Sequence, residues 1–115
     1  MPNKKYSKKL KTEEGIFMEN KGVVEKVNYL MKKAVSKDYD DNDIELIVSY
    51  LDEHSEHAIL GRVFGYSVSE YAFAALKWIG TEQTVSIYEK YYNKLSEERK
   101  KTINELIKSN YYLQY

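Results

Sequence analysis

The chain contains almost no residues that interrupt regular backbone structure. In 115 residues there is one proline, Pro2, and there are five glycines. A fold made of many short strands needs frequent glycine and proline in its turns, whereas long helices need few. Every long apolar pattern also repeats at helical spacing, as in residues 23–35. The sequence therefore predicts an all-α fold.

Apolar stripes and capping residues predict five to six helices. Their approximate ranges are 20–37, 42–51, 56–64, 67–79, 81–95 and a last helix from 96 onwards. The clearest start is at Ser67, because Glu70 three residues later completes a capping box. Tyr66 and Tyr71 occupy the two positions of a hydrophobic staple, and Gly80 is well placed to end the helix. The short connections favour antiparallel hairpins.

Two finer expectations concern the second helix and the tail. Asn42 and Glu45 form a capping-box pattern that places the helix start at Asn42. The inward face of this helix is expected to carry four apolar residues: Ile44, Ile47, Val48 and Leu51. Tyr50 lies off that face and is expected to be exposed. The tail 111–115 is so aromatic that we expect it to fold back on the body.

Charge and apolar content divide the chain into two parts. Residues 1–19 carry five lysines within their first eleven positions and little apolar material, so they are expected to form a mobile basic arm. Residues 20–115 are expected to form a single helical domain, which is an ordinary length for one core. The arm could contact nucleic-acid phosphate, but the zero net charge of the chain disfavours nucleic acid as the partner.

One short motif carries a family resemblance. Residues 74–80 read Ala-Ala-Leu-Lys-Trp-Ile-Gly, and Thr81 and a second amphipathic helix follow. This stretch resembles a HEAT-type repeat, in which a small-residue helix ends in Leu-x-x-Ile-Gly and turns tightly into its partner. The resemblance covers about residues 67–95, with a degenerate echo at 43–64. It implies a HEAT-like, right-handed stack of helical hairpins and no particular function.

Several classes of protein are disfavoured by composition. The chain has no cysteine, which excludes disulfide frameworks, thiolate zinc sites and cysteine nucleophiles. No apolar run approaches the roughly 18 residues of a membrane span. The lysines of the arm are not followed by an apolar stretch of signal-peptide length. We therefore expect a cytoplasmic protein that does not enter a membrane.

Charge is distributed in blocks, although the total is zero. Residues 1–37 hold ten lysines and four glutamates, whereas residues 38–58 hold eight carboxylates and no Lys or Arg. Tyrosine is also abundant, with twelve residues in the chain. Tyr71, Tyr88 and Tyr92 are expected in helix seams, whereas Tyr39 and Tyr50 are expected to be exposed beside the acidic block. Exposed tyrosine surrounded by carboxylates is typical of a protein interface.

The residues that could carry chemistry form no recognisable catalytic or metal site. His54 and His57 have the spacing of a metal pair but no third ligand, so two ordinary histidines on an acidic helix end are favoured. Residues 38–42 imitate the start of a calcium loop, but Asp43 replaces its required glycine. Phosphate-binding loops and nucleophile motifs are missing. The sequence predicts no catalytic residue, no metal, no cofactor and no enzyme activity.

These observations favour a protein that binds another protein. In size, composition and helical build the chain is similar to small bacterial toxin-immunity proteins, which implies an inhibitor of a basic, nuclease-type toxin that is secreted or delivered by contact. The expected contact residues are Asp38, Tyr39, Asp40, Asp41, Asp43, Tyr50, Asp52, Glu53 and Glu56. A HEAT-like scaffold or adaptor with another protein partner, and a nucleic-acid-associated regulator that uses the arm, are the alternatives.

Overall fold

The computed structural model describes residues 22–54 and 62–115. These ranges contain five α-helices: α1 Val23–Ser36, α2 Asp41–Tyr50, α3 Val68–Ile79, α4 Glu82–Tyr92 and α5 Glu97–Ser109. They also contain two strands, β1 Arg62–Val63 and β2 Tyr66–Ser67, and a C-terminal 3-10 helix, Tyr111–Gln114. The all-α class is confirmed for this part of the chain. The predicted arm, 1–19, lies outside the described residues.

The starts of α3, α4 and α5, and the end of α3, are set by the residues that the sequence predicts. Ser67 caps α3 and forms the capping box with Glu70. Gly80 ends α3 in the left-handed conformation, with φ of 75°, which glycine adopts without steric cost. Thr81 and Ser96 cap α4 and α5 through their hydroxyl groups. Local capping chemistry therefore divides the second half of the chain into its helices.

Helix α3 is the centre of the core. Eleven of its twelve residues are buried, and the exception is Lys77. It contacts each of the other four helices. Two alanines in its middle, Ala74 and Ala75, allow neighbouring helices to approach closely, while Phe73 and Leu76 fill the space between them. The other helices each bury one face against it.

Contacts at the two ends of α1 and α3 show that these helices run in the same direction. At their start, Lys26 of α1 pairs with Glu53, whose carbonyl accepts a hydrogen bond from the backbone of Ser69 in α3. At their end, Lys37 Nζ donates to the carbonyl of Trp78 over 2.7 Å. The α1–α2 pair and the α3–α4 pair therefore lie side by side.

The remaining helices alternate in direction. Helix α5 is parallel to α3, because Arg99 near its start contacts Glu70 and its Ile107 carbonyl accepts a hydrogen bond from the Trp78 indole. Helix α2 turns back along α1, because Asp43 near its start pairs with Lys33 near the end of α1 and Glu53 beyond its end pairs with Lys26 near the start of α1. Helix α4 turns back along α3, as the Phe73–Tyr88 ring contact shows. Helices α1, α3 and α5 thus share one direction, and α2 and α4 take the other.

A short β-hairpin replaces part of the helix that the sequence predicts over 56–64. Strands β1 and β2 pair in antiparallel register, and residues 62–63 are therefore not helical. Residues 55–61 of the predicted helix lie outside the described residues. The two turn residues, Phe64 and Gly65, both have positive φ, at 52° and 87°. Such turns match the twist of paired strands, which explains why the chain reverses here instead of continuing as a helix.

The aromatic tail packs back against the helices. Tyr112 lies 4.8 Å from the ring of Trp78, and the ammonium group of Lys37 sits 5.0 Å from the Tyr112 ring centre. Tyr111 contacts the ring of Tyr71. The C-terminal 3-10 helix therefore joins the end of the chain to α1 and α3, which lie early and centrally in the sequence.

Candidate functional site

Helix α2 presents most of the carboxylates that the sequence selects, and Asp40 sets where it begins. The Asp40 side chain accepts from the backbone N–H of Asp43, and the Asp43 side chain accepts from the backbone N–H of Asp40, both over 2.9 Å. The prediction that Asn42 is the N-cap of α2 is therefore wrong, because the cap is Asp40, two residues earlier. Asp40 and Asp43 form the capping box themselves, and α2 starts at Asp41.

Asp43 is engaged mainly in contacts within the molecule. Its carboxylate accepts a hydrogen bond from the Tyr29 hydroxyl and lies 3.1 Å from Lys33 Nζ. Partial burial opposes ionisation, but the hydrogen bonds from Tyr29 and the Asp40 backbone, together with Lys33, hold the pKa of Asp43 below its ordinary value. This carboxylate joins α2 to α1 and has little capacity left for a partner.

Glu53 is also engaged within the molecule. Both of its carboxylate oxygens accept hydrogen bonds from Lys26 Nζ, over 2.9 and 3.1 Å. The same ammonium group lies 5.3 Å from the ring centre of the buried Tyr50. Lys26 therefore neutralises Glu53 across the α1–α2 hairpin.

The other carboxylates of the block that the structure describes are exposed. We call Asp38, Asp40, Asp41, Glu45 and Asp52 the acidic face. Asp41 and Glu45 lie four residues apart on the outer side of α2, and Asp52 follows about three turns after Asp41. Asp41 lies at the helix start, where the macrodipole favours negative charge, but Asp52 lies just beyond the helix end, where it does not. Capping therefore explains Asp40 and Asp41 and does not explain Glu45 and Asp52.

The two tyrosines of the predicted contact surface have different positions. Tyr50 is 1% exposed and packs edge-on against Tyr29, so its prediction as an exposed contact residue is wrong. The buried side of α2 is Leu46, Ile47 and Tyr50, rotated from the predicted stripe, because the inward-facing surface includes an aromatic ring that the apolar pattern alone does not assign. Tyr39 is half-buried, and its hydroxyl bonds Thr81 Oγ1 over 2.7 Å.

Some predicted features lie outside the described ranges. Glu56 of the contact set and His57 of the histidine pair fall in residues 55–61. Among residues 22–54 and 62–115, no group of three metal-ligating side chains is placed to hold an ion. None of the helices in these ranges is both long and apolar enough to cross a membrane.

A second cluster, which the sequence does not reveal, surrounds the buried carboxylate of Glu70. Its Oε1 atom accepts from the hydroxyl and the backbone N–H of Ser67, over 2.6 and 2.8 Å. Its Oε2 atom lies 2.9 Å from His54 Nδ1 and accepts from Arg99 over 3.1 Å. Burial alone would raise the pKa of Glu70, but Ser67, His54 and Arg99 together lower it. Arg99 also donates to Ser69 Oγ over 2.6 Å.

This cluster is built for stability and does not form a serine nucleophile. His54 presents the same atom, Nδ1, to both Glu70 and Ser67, whereas a Ser–His–acid relay requires opposite ring nitrogens. Ser67 is fully buried, and its hydroxyl donates to Glu70 instead of facing a substrate. An open cleft of about 460 Å³ adjoins the cluster, lined by polar side chains that include Arg62 and Thr102. The Glu70 cluster fixes the start of α3 against α5.

Comparison with known proteins adds no family assignment. A scan against protein-family models, a search of curated proteins and a search of solved structures each returned no match.

Proposed function

We propose that this protein is a cytoplasmic, non-enzymatic inhibitor of the immunity type, which binds a basic protein through the acidic face. The observation that carries the proposal is the exposed set of Asp41 and Glu45 on α2 and Asp52 just beyond its end. The helix dipole does not account for Glu45 in the middle of α2, and it disfavours Asp52 beyond the C-terminal end. A function in recognition accounts for them.

The positions of the neighbouring lysines support this surface as a binding site for a basic protein. Lys26 and Lys33 point inward and pair with Glu53 and Asp43. The sequence from 38 to 54 has no Lys or Arg of its own, so the exposed charges there are negative. A surface of one sign attracts an oppositely charged partner and speeds encounter with it.

Tyr39 supplies a fixed aromatic group at the edge of the acidic face. Its hydroxyl is held by Thr81 and by Gln83 Oε1, the latter over 3.1 Å, while part of the ring remains accessible. A side chain that is already ordered loses little conformational entropy on binding. Of the two predicted tyrosines, Tyr39 therefore remains as the aromatic contact in the proposed interface, and Tyr50 does not.

A HEAT-like scaffold is the second candidate, and the helix directions favour it. Helices α1, α3 and α5 share one direction and α2 and α4 take the other, as expected of stacked helical hairpins. In such a stack the acidic face would lie on the outer helix of the first hairpin. The two candidates share this surface and differ in their effect on the partner. An inhibitor would inactivate it, whereas a scaffold would only position it.

Charge reversal on the acidic face tests the proposed surface. The test variant is Asp41→Lys, Glu45→Lys and Asp52→Lys, and the matched control is Glu89→Lys, Glu97→Lys and Glu105→Lys. All six carboxylates are exposed, so both variants should fold and both gain the same charge. Immobilised wild-type and control protein should capture the same strongly basic protein from a lysate of the source cells, and the test variant should not.

The captured protein then allows a kinetic test of the mechanism. Association with the wild type should slow as NaCl rises from 50 to 500 mM, because the distance beyond which exposed charges are screened falls from roughly 14 Å to roughly 4 Å. Activity assays of the captured protein, with and without one equivalent of this chain, separate an inhibitor from a scaffold. Equal capture by test and control variants, or association that ignores salt, would refute the acidic-face proposal.

A further inference from the structure

A basic segment precedes α1 in the sequence and matches the charge of the acidic face. Residues 1–11 contain five lysines and no Asp or Glu, so their net charge is +5. We call residues 4–11, which carry all five of these lysines, the lysine segment. The acidic face consists of five exposed carboxylates, so its net charge is −5. The two charges are equal in size and opposite in sign, and each could neutralise the other.

The helix beside the acidic face supplies little positive charge to it. Of the three lysines in α1, Lys26 and Lys33 pair with Glu53 and Asp43, which do not belong to the face. Only Lys32 of α1 is exposed. Within residues 22–54 and 62–115, no carboxylate of the acidic face forms an ion pair. Like charges on one surface repel each other, so this face favours the approach of a cationic segment.

The lysine segment is attached at a point from which it can reach the whole acidic face. It precedes α1, and the start of α1 lies beside the end of α2, because Lys26 pairs with Glu53 over 2.9 Å. Helix α2 has ten residues and is therefore about 15 Å long. The eleven steps of chain from residue 11 to residue 22 can span up to about 40 Å. The connection is therefore long enough for the lysine segment to lie along α2.

We infer that the lysine segment occupies the acidic face of its own molecule when no partner is bound. A short tether holds a segment at an effective concentration on the order of millimolar, which favours it over a free competitor. Each exposed ion pair is weak and screened by salt, so a partner with a denser positive charge can displace the segment. The consequence, which rests on the proposed function, is that the segment competes with the partner and selects for strongly basic proteins.

Paramagnetic relaxation enhancement in the full chain tests the contact. The chain has no cysteine, so Ser7→Cys places a single nitroxide label in the lysine segment. At 50 mM NaCl the label should broaden the amide signals of Asp41 and Glu45 more than those of Glu97 and Glu105. Raising NaCl to 500 mM should remove the difference, because the pairs are exposed. The triple charge reversal of the acidic face should also remove it, whereas the matched reversal on α4 and α5 should not.

The same spectra give the outcomes that would contradict the contact. Equal broadening on α2 and α5 at 50 mM NaCl, or broadening of α2 that ignores salt, would overturn the inference. Spin-labelled protein without isotope label, added to isotope-labelled protein without a spin label, should broaden no signals. Broadening of α2 in that mixture would assign the contact to a second copy and would also overturn it.

Binding of a ten-residue lysine peptide measures how far the segment blocks the face. The test variant replaces the five lysines of the segment by glutamine: Lys4, Lys5, Lys8, Lys9 and Lys11. The control replaces five exposed lysines of α3, α4 and α5 by glutamine: Lys77, Lys90, Lys94, Lys101 and Lys108. Both variants then have a net charge of −5, because five lysines are removed from a chain of net charge zero.

The test variant should bind the peptide at least about fivefold more tightly than the control at 50 mM NaCl, since affinity rises with the fraction of molecules whose binding surface is free. Equal affinities of the two variants would overturn the inference. They would leave the proposed function intact, because capture of a basic protein by the acidic face is measured separately. Loss of that capture with a fivefold difference retained would refute the proposed function and keep the contact.

Discussion

At the scale of single residues, the carboxylate of Glu70 has the most partners in the described core. It is 1% exposed and accepts hydrogen bonds from two groups of Ser67 and one of Arg99. A buried charge is tolerated only when it is paired and hydrogen-bonded. The same partners favour the ionised form and lower the pKa of Glu70, although burial opposes them.

Glu70→Gln should destabilise the protein by about 3 kcal/mol at pH 7, because it leaves Arg99 without its anion. The folded pKa of Glu70 is lower than its ordinary value of 4.5. Its contribution is therefore complete above that value and is lost as pH falls through the folded pKa. Urea denaturation between pH 7 and pH 3 should show the two proteins converging. Glu97→Gln, at an exposed position, is the control, and a constant difference across pH would contradict this account.

The burial of Tyr50 gives a second prediction at this scale. Tyr50→Ala should lower the free energy of unfolding by about 3–5 kcal/mol, since it removes a fully buried ring from the α1–α2 seam. Tyr39→Phe removes a partly exposed hydroxyl instead and should cost about 1 kcal/mol or less. Denaturation curves of the two variants measure both losses of stability. A Tyr50→Ala variant as stable as the wild type would contradict the burial of this ring.

At the scale of elements, the sequence predicts those helix starts that a nearby capping residue determines. Ser67, Thr81 and Ser96 begin their helices as predicted, because an N-cap acts within one turn. The start of α2 is missed because Asp40 and Asn42 are both good caps and only the observed hydrogen bonds distinguish them. The β-hairpin is missed because strands of two residues have no measurable period and Phe-Gly is an unusual turn.

Contacts between distant elements cannot be read from the same patterns. Arg99 reaches Glu70 across 29 residues, and Lys26 reaches Glu53 across 27. Such pairings depend on how the helices are arranged, which the periodicity of each helix does not contain. For the candidate site, the sequence locates the acidic block but does not show that Asp43 and Glu53 are neutralised internally, or that Tyr50 is buried.

The hairpin turn allows a test of strain within one element. Phe64→Asn should stabilise the monomer by about 1 kcal/mol, because Asn-Gly is the favoured pair when both residues have positive φ. Gly65→Ala is the opposing variant. An added Cβ there meets nothing within 4 Å, so its expected loss of about 1 kcal/mol reflects backbone conformation alone. Thermal denaturation at 5 µM measures both, and a destabilised Phe64→Asn would show that the Phe64 ring contributes to the folded monomer.

At the scale of the whole molecule, the C-terminal 3-10 helix closes the fold. Through Tyr112 it contacts Trp78 in α3 and Lys37 at the end of α1, so it bridges elements from both halves of the chain. The indole of Trp78 is 8% exposed and donates to the Ile107 carbonyl. The only tryptophan of the chain is thus shielded in part by its last residues.

Removal of residues 111–115 should therefore expose Trp78. We expect a red shift of its fluorescence and a loss of about 2–4 kcal/mol in the free energy of unfolding, given the aromatic area uncovered. Leu113→Ser is the control, since this side chain is 68% exposed and should change neither quantity by much. An unshifted emission spectrum in the truncated protein would mean that the tail does not cover the indole.

The central position of α3 also fixes the order in which the chain can acquire structure. During synthesis, α1 and α2 leave the ribosome before the helix that covers them, and their apolar faces remain unsatisfied until Ile79 has followed. Residues 22–54 have no core without residues 68–79, so they should not fold by themselves. We expect Trp78 fluorescence and helical circular dichroism to report one common unfolding transition, and two separate midpoints would show independent folding units.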